Sequence, residues 1–241
     1  MRQELSLNWK PLGGNKFILE IKKGPTPREL AVFQGTEGAS YGSQGFPREV
    51  VYKALLKEQG YLCAFCMKKI TEKTIHIEHW IPQRHPQEGY LEYSQEDCDR
   101  FAIDYQNMLG VCPGGKGSSK KHTTCDSHRG NAYLFVNPLK PWMMVTLQYE
   151  RDGKISSTNE KIDKDLTDLL NLNEASLKAN RSRAWEACKK VLMKKKKTGT
   201  WTVTMIDKQI AHYEQVSEEG YRLPYAGIVL YWLRKYRQKA K

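Results

Sequence analysis

With 241 residues, 39% of them hydrophobic, the chain is long enough to bury a core, and it contains no apolar run of membrane-spanning length. Its start, Met1-Arg2-Gln3-Glu4-Leu5, has no apolar signal core, and six cysteines in such a chain favour metal ligation over a disulfide framework, so a reducing cytoplasm is expected. The formal charge of +12 is uneven: residues 178–241 hold sixteen Lys and Arg against five Asp and Glu, which predicts a salt-sensitive surface for phosphate backbones or, equally, a solvated helix face.

Residues 1–45 read as an N-terminal extension. Lys16–Ile21 has the composition of a strand, Pro25 and Pro27 interrupt what precedes them, and Gly35, Gly38, Gly42 and Gly45 mark a polar connection around Tyr41. A phosphate-cradling loop is not supported there, because no Gly-Lys-Ser or Gly-Lys-Thr ending follows. Phe46-Pro47-Arg48-Glu49 opens a helix whose Val50, Val51, Ala54 and Leu55 recur at helical spacing, and Gly60 closes it.

The chain then delivers Cys63-Ala64-Phe65-Cys66, a spacing that lets one tight turn offer two thiolates to a tetrahedral zinc. Cys112 and Cys125 are the best candidates to complete the set, and His122 is an alternative to either. The basic segment between them, residues 113–124, reads as a mobile excursion closed at its base by the metal. A closed four-ligand zinc would be structural, and Cys98 and Cys188 would remain free thiols. Harder ligands follow a different pattern. His76-Ile77-Glu78-His79 alternates as a short strand, so Glu78 and His79 share one site only if the strand bends there. Glu78 and His128, a carboxylate and an imidazole, suit Mg2+ or Mn2+, and Asn107 belongs to the same group of residues. His76 and His85 are left outside the ligand set.

Beyond this stretch, Trp142–Tyr149 and the segment after Asp152-Gly153 predict a hairpin. Ser156-Ser157-Thr158 marks a boundary. Leu166, Leu169, Leu170, Leu172, Leu177, Ala184, Trp185, Cys188, Val191 and Leu192 then recur at threes and fours, as amphipathic helices do. Lys194, Lys195, Lys196 and Lys197 form a cationic run, either a phosphate-contacting turn or plain exposed charge, and with Arg129 they are the candidate nucleic-acid contacts. The final run, Gly227 to Tyr236, reads as a helix docked on the core.

The order Cys63-x-x-Cys66, His76-Ile77-Glu78-His79-Trp80-Ile81-Pro82, Asn107, Cys112, Cys125 and His128 resembles HNH endonucleases of the zinc-stapled ββα-metal type. Over residues 46–135 it is similar to the PtuB nuclease subunits of Septu and retron-associated anti-phage systems. The resemblance implies an α+β fold: an N-terminal extension (1–45), an HNH core with its zinc site (46–155) and a basic, mostly helical C-terminal region (156–241). It implies His79 as general base, Glu78 and His128 as ligands of a catalytic divalent metal, and Asn107 as the residue that holds the hairpin in shape. Glu78 departs from the more frequent Asp at its position.

The resemblance further implies a bacterial antiviral-defence effector that hydrolyses phosphodiester bonds, most readily of DNA, beside an ATPase subunit like PtuA and, in the retron version, a reverse transcriptase with its RNA–DNA. The alternative reading is a catalytically silent zinc module that binds nucleic acid or scaffolds an ATPase complex.

Overall fold

The computed structural model describes residues 20–85, 93–195 and 201–240. Two helices come first, α1 (Arg28–Gln34) and α2 (Arg48–Glu58), preceded by Pro27 and Pro47. A helix start tolerates proline because its missing N–H has no intrahelical acceptor. Leu30 and Phe33 of α1 pack with Val51, Leu55 and Leu56 of α2 in the core, so the N-terminal extension contributes to the core from α1 onward. Most of the predicted strand at Lys16–Ile21 lies outside the described residues, and Glu20 and Ile21 are not in a strand.

Gly60 ends the α2 turn at φ +61°, where a Cβ would meet Arg222 Cγ at 2.4 Å. Only glycine satisfies both demands, and the chain there swings into the cysteine knuckle. Strand β1 (His76–His79) pairs antiparallel with β2 (Met108–Val111), His79 opposite Met108 and His76 opposite Val111. Gly110 is bonded on its other side by Gln59: Nε2 donates to Gly110 O and Gly110 N donates to Oε1, each 2.7 Å. One buried side-chain amide thus stands in for a third strand. Helix α3 (Gln95–Ala102), opened by a Ser94–Asp97 capping box, lies between the two strands in sequence. Helix α4 (Cys125–Arg129) follows them and completes a strand–strand–helix unit.

Past this unit the expected hairpin is present in shortened form. Pro141 starts a helical turn, α5 (Pro141–Met144), that buries Met143 and Met144, so only Leu147–Tyr149 (β3) and Ile155–Ser157 (β4) pair. Gly153 in the connecting turn has φ +91°, as the Asp-Gly signal predicts. The boundary drawn at 155/156 falls inside β4.

Helices α6 (Glu160–Lys164), α7 (Ala175–Lys195), α8 (Val203–Glu214) and α9 (Ala226–Lys239) then follow, with a π-helical turn at Asp165–Leu169. Trp185 of α7 is fully buried, with its ring 6.2 Å from Trp232 and 5.8 Å from Tyr236 of α9. The docked terminal helix is therefore as expected. Gly227 of α9 lets it approach the knuckle, since a Cβ would lie 3.0 Å from Met67 Sδ. Cys125 N donates to Leu170 O (2.9 Å) and Val136 N to Asp165 Oδ2 (2.7 Å), so the helical region is bonded directly to the strand–strand–helix unit. Among the described residues no helix is long and apolar enough to cross a membrane.

Candidate metal centre and active site

Cys63, Cys66, Cys112 and Cys125 are all buried, and their four sulfurs lie within 4.8 Å of one another. The separations Cys63–Cys125, Cys66–Cys112 and Cys112–Cys125 are 3.9, 3.7 and 3.8 Å. Four sulfurs about 2.3 Å from a tetrahedral zinc would be about 3.8 Å apart, whereas a disulfide would bring a pair to about 2.05 Å. The donor set and its spacing fit a structural metal such as zinc. Hydrogen bonding to the neighbouring sulfurs and burial push the Cys66 and Cys125 thiols up, while three sulfur neighbours push Cys112 down. A cluster whose members compete for protons in this way is one that a divalent cation would relieve. His122 is not part of it: its side chain is 60% exposed and its Nδ1 is 3.7 Å from Glu174. The segment from Pro113 to Thr124 is tied at its base by Thr124 N to Gly114 O (2.8 Å) and by Asn171 Nδ2 to Thr123 O (2.8 Å).

A second centre lies on the other side of α4. Glu78 and His79, although successive strand residues, line one cleft together with Gln83, Arg84, Asp126 and Arg129. They do so because the strand ends at His79, where Trp80 N donates to Asn107 O (3.0 Å) and the chain turns. Asn107 sits behind this turn and fixes it: Oδ1 accepts from Ile81 N (2.8 Å), and Nδ2 donates to Ile81 O and Phe101 O, each 3.0 Å. Its amide is fully engaged with main chain, which makes it a positioning residue.

His79 is pinned in one tautomer. Nε2–H donates to Ala102 O (2.9 Å), so Nδ1 carries the lone pair, which accepts from Gln83 Nε2 at 3.1 Å. The ring of Tyr41, from the glycine-marked loop, packs edge-on against the imidazole at 4.6 Å, and Arg48 Nη1 donates to Tyr41 Oη (2.9 Å). Burial lowers His79 to about 4, so the imidazole is neutral at pH 7. Burial also raises Glu78 to about 8, with Asp126 adding to the shift against the pull of Arg129. Glu78 and Asp126 line one polar cleft, and two carboxyl groups so placed form a pair that a divalent cation would suit.

Arg129 is the structural brace of this cleft. Its side chain is 1% exposed; Nη1 donates to Glu78 Oε1 and to His79 O (2.7 Å), Nη2 to Trp80 O (2.7 Å) and Nε to Ala132 O (2.7 Å). Its donors are directed inward, where a nucleic-acid contact was expected. His128, expected as a ligand, points away from the cleft: its Nδ1–H donates to Lys120 O (3.1 Å), and Thr123 Oγ1 is at the same distance. Residues two apart on a helix are separated by about 200°, so Asp126 and His128 face opposite ways, whereas Asp126 and Arg129 share a face. Asp126, absent from the expected site residues, lines the cleft with Glu78 and His79; the signal available was its place three before Arg129 and one after Cys125. Of the lysine run, Lys194 is exposed near the end of α7, and Lys196 and Lys197 lie outside the described residues.

No protein-family model matches the chain. It is 24% identical over 182 residues to the candidate HNH endonuclease of retron Vc95 from Vibrio cholerae serotype O1 biovar El Tor, an alignment covering 70% of this chain and 83% of that protein. The chain is thus similar, over more than two thirds of its length, to a retron-associated protein described as a candidate HNH endonuclease.

Proposed function

We propose that the chain is a metal-dependent HNH endonuclease that hydrolyses phosphodiester bonds of nucleic acid, DNA foremost, as the effector of a retron-type anti-phage complex. The observation that carries this reading is the tautomer of His79. An imidazole held by Nε2–H on a carbonyl, neutral at pH 7 and lining the same cleft as two carboxyl groups, is a general base set to take a proton from water. Glu78 and Asp126 are the residues that would hold the divalent cation, Mg2+ or Mn2+. When bound, that ion would stabilise negative charge on the phosphate oxygens. Arg129 orients Glu78, Asn107 shapes the turn that carries His79, and Gln83 marks the place of the attacking water by donating to the same Nδ1. The retron relative supports a retron reverse transcriptase with its RNA–DNA as neighbours in a complex, and the resemblance to PtuB extends this to an ATPase subunit like PtuA.

The test is cleavage of supercoiled plasmid by the purified chain with Mn2+ or Mg2+, beside His79→Ala at matched zinc content. Wild type should cut and the variant should lose about 10²- to 10⁴-fold in rate while keeping its zinc and its cooperative melt. Equal cutting by both would refute the assignment of the base. Tight DNA binding without cutting, by the chain and by its complex, would leave the silent zinc module in its place.

A further inference from the structure

The cleft holds two arginines in opposite circumstances. Arg129 is buried with its donors spent, as described above. Arg84 lines the same cleft, is exposed, and among the described residues makes no hydrogen bond or ion pair. Its guanidinium is thus left available to a ligand that enters the cleft.

The main chain on both sides of Arg84 is held by one side chain. Gln95, the first residue of α3, donates from Nε2 to Gln83 O (2.9 Å) and accepts at Oε1 from His85 N (3.0 Å). Gln95 Nε2 is itself steadied by Asp99 Oδ1 at 2.8 Å. The amide of Gln95 therefore grips residues 83 and 85, and the side chain between them is left projecting at the cleft. The same short segment supplies Gln83 to His79 Nδ1. Base and free cation are thus set by one pinned turn.

We propose that Arg84, presented by the Gln95 clamp, is the residue that grips a backbone phosphate flanking the scissile one. This rests on the nuclease reading of the same cleft. A guanidinium suits the task because its planar fork matches two phosphate oxygens and its charge never titrates at working pH. A phosphate that flanks the scissile one does not change in the reaction, so a contact to it is made equally in ground and transition states. Loss of such a contact raises KM and leaves kcat nearly unchanged.

The experiment uses the full chain carrying His79→Ala, so that a fluorescein-labelled 20-base-pair DNA duplex and the matching RNA can be bound with Mg2+ present and no turnover. Adding Arg84→Ala should weaken binding about tenfold and reduce the slope of log K against log salt by about one, while Arg84→Lys keeps the slope. Gln95→Ala should weaken binding less and add nothing to Arg84→Ala, because with His79 replaced its hold on Gln83 no longer bears on the base and its effect on binding runs through Arg84. An unchanged salt slope in Arg84→Ala would overturn the phosphate contact, and additive losses would overturn the clamp. Failure of the parent protein to bind either nucleic acid would instead overturn the nuclease reading, and the proposal with it.

Discussion

The sulfur cluster and the carboxylate cleft meet on one five-residue helix, where Cys125 faces the first and Asp126 the second. They differ in completeness. The cluster has four soft donors at tetrahedral spacing, all buried, and leaves no position for water. The cleft has two hard donors, a neutral imidazole and an open side. Neighbouring residues of one helix turn therefore face different surroundings: Cys125 lies in the sulfur cluster and Asp126 lines the cleft. A metal that closed the first centre would hold the helix that carries Asp126 to the second, so damage to the first should be felt in both and damage to the second in only one.

The largest expected effect follows from this. Cys112→Ser, or removal of metal with a strong chelator, withdraws a closed site whose ligation contributes on the order of 10 kcal/mol in small zinc modules. Differential scanning calorimetry should show the main cooperative transition lost or lowered by tens of degrees, with zinc content falling in parallel. A variant that lost its zinc but melted like wild type would show that packing alone holds α4, and the cluster would then be dispensable to the cleft.

The two centres were also unequally legible in the sequence. Cys63 and Cys66 announce themselves because their spacing is local: a two-residue gap already defines the turn. His79 and Asn107 were singled out through the resemblance, and Asn107 makes its side-chain bonds to main chain at Ile81 and Phe101. Asp126 was not legible, because choosing between it and His128 depends on which face α4 turns to Glu78, and a helix of five residues carries too little periodicity to say. The inward turn of Arg129 was hidden for the same reason. Tyr41 was read as part of a plain connection, since nothing local ties a glycine-rich loop to a histidine some forty residues later. Gln59 as a surrogate strand for Gly110 is likewise a tertiary fact without a local signal.

A smaller effect sharpens the division of labour on α4. Asp126→Asn keeps the shape of the side chain but removes a charge from the pair with Glu78, so divalent-metal affinity should fall about tenfold or more, and plasmid cleavage at limiting Mn2+ with it. His128→Ala should change cleavage by less than about threefold, because its ring is bonded to Lys120 O and Thr123 Oγ1 on the other side of the helix. The reverse ranking would restore His128 as the ligand and require α4 to rotate on binding metal.

The smallest effect is a slope. Burial holds the metal-free Glu78 carboxyl protonated up to about pH 8, whereas an unfolded glutamate would lose its proton near 4.5. The folded chain therefore binds one more proton than the unfolded one between those values, and this group costs stability as pH rises through that window. A cation that Glu78 held would have to displace that proton. Metal affinity should thus rise by about tenfold per pH unit from 6 to 8 and level off above, with one proton released per ion. Isothermal titration of Mn2+ in two buffers of different ionisation heat reads both quantities. The cysteine site should show no such open titration once zinc is bound, because its thiolates are already committed. A flat affinity from pH 6 to 8 with no proton release would mean that Glu78 is ionised before metal arrives. The Arg129 pair would then outweigh burial, and the cleft would be a preformed anionic site in place of a proton-gated one.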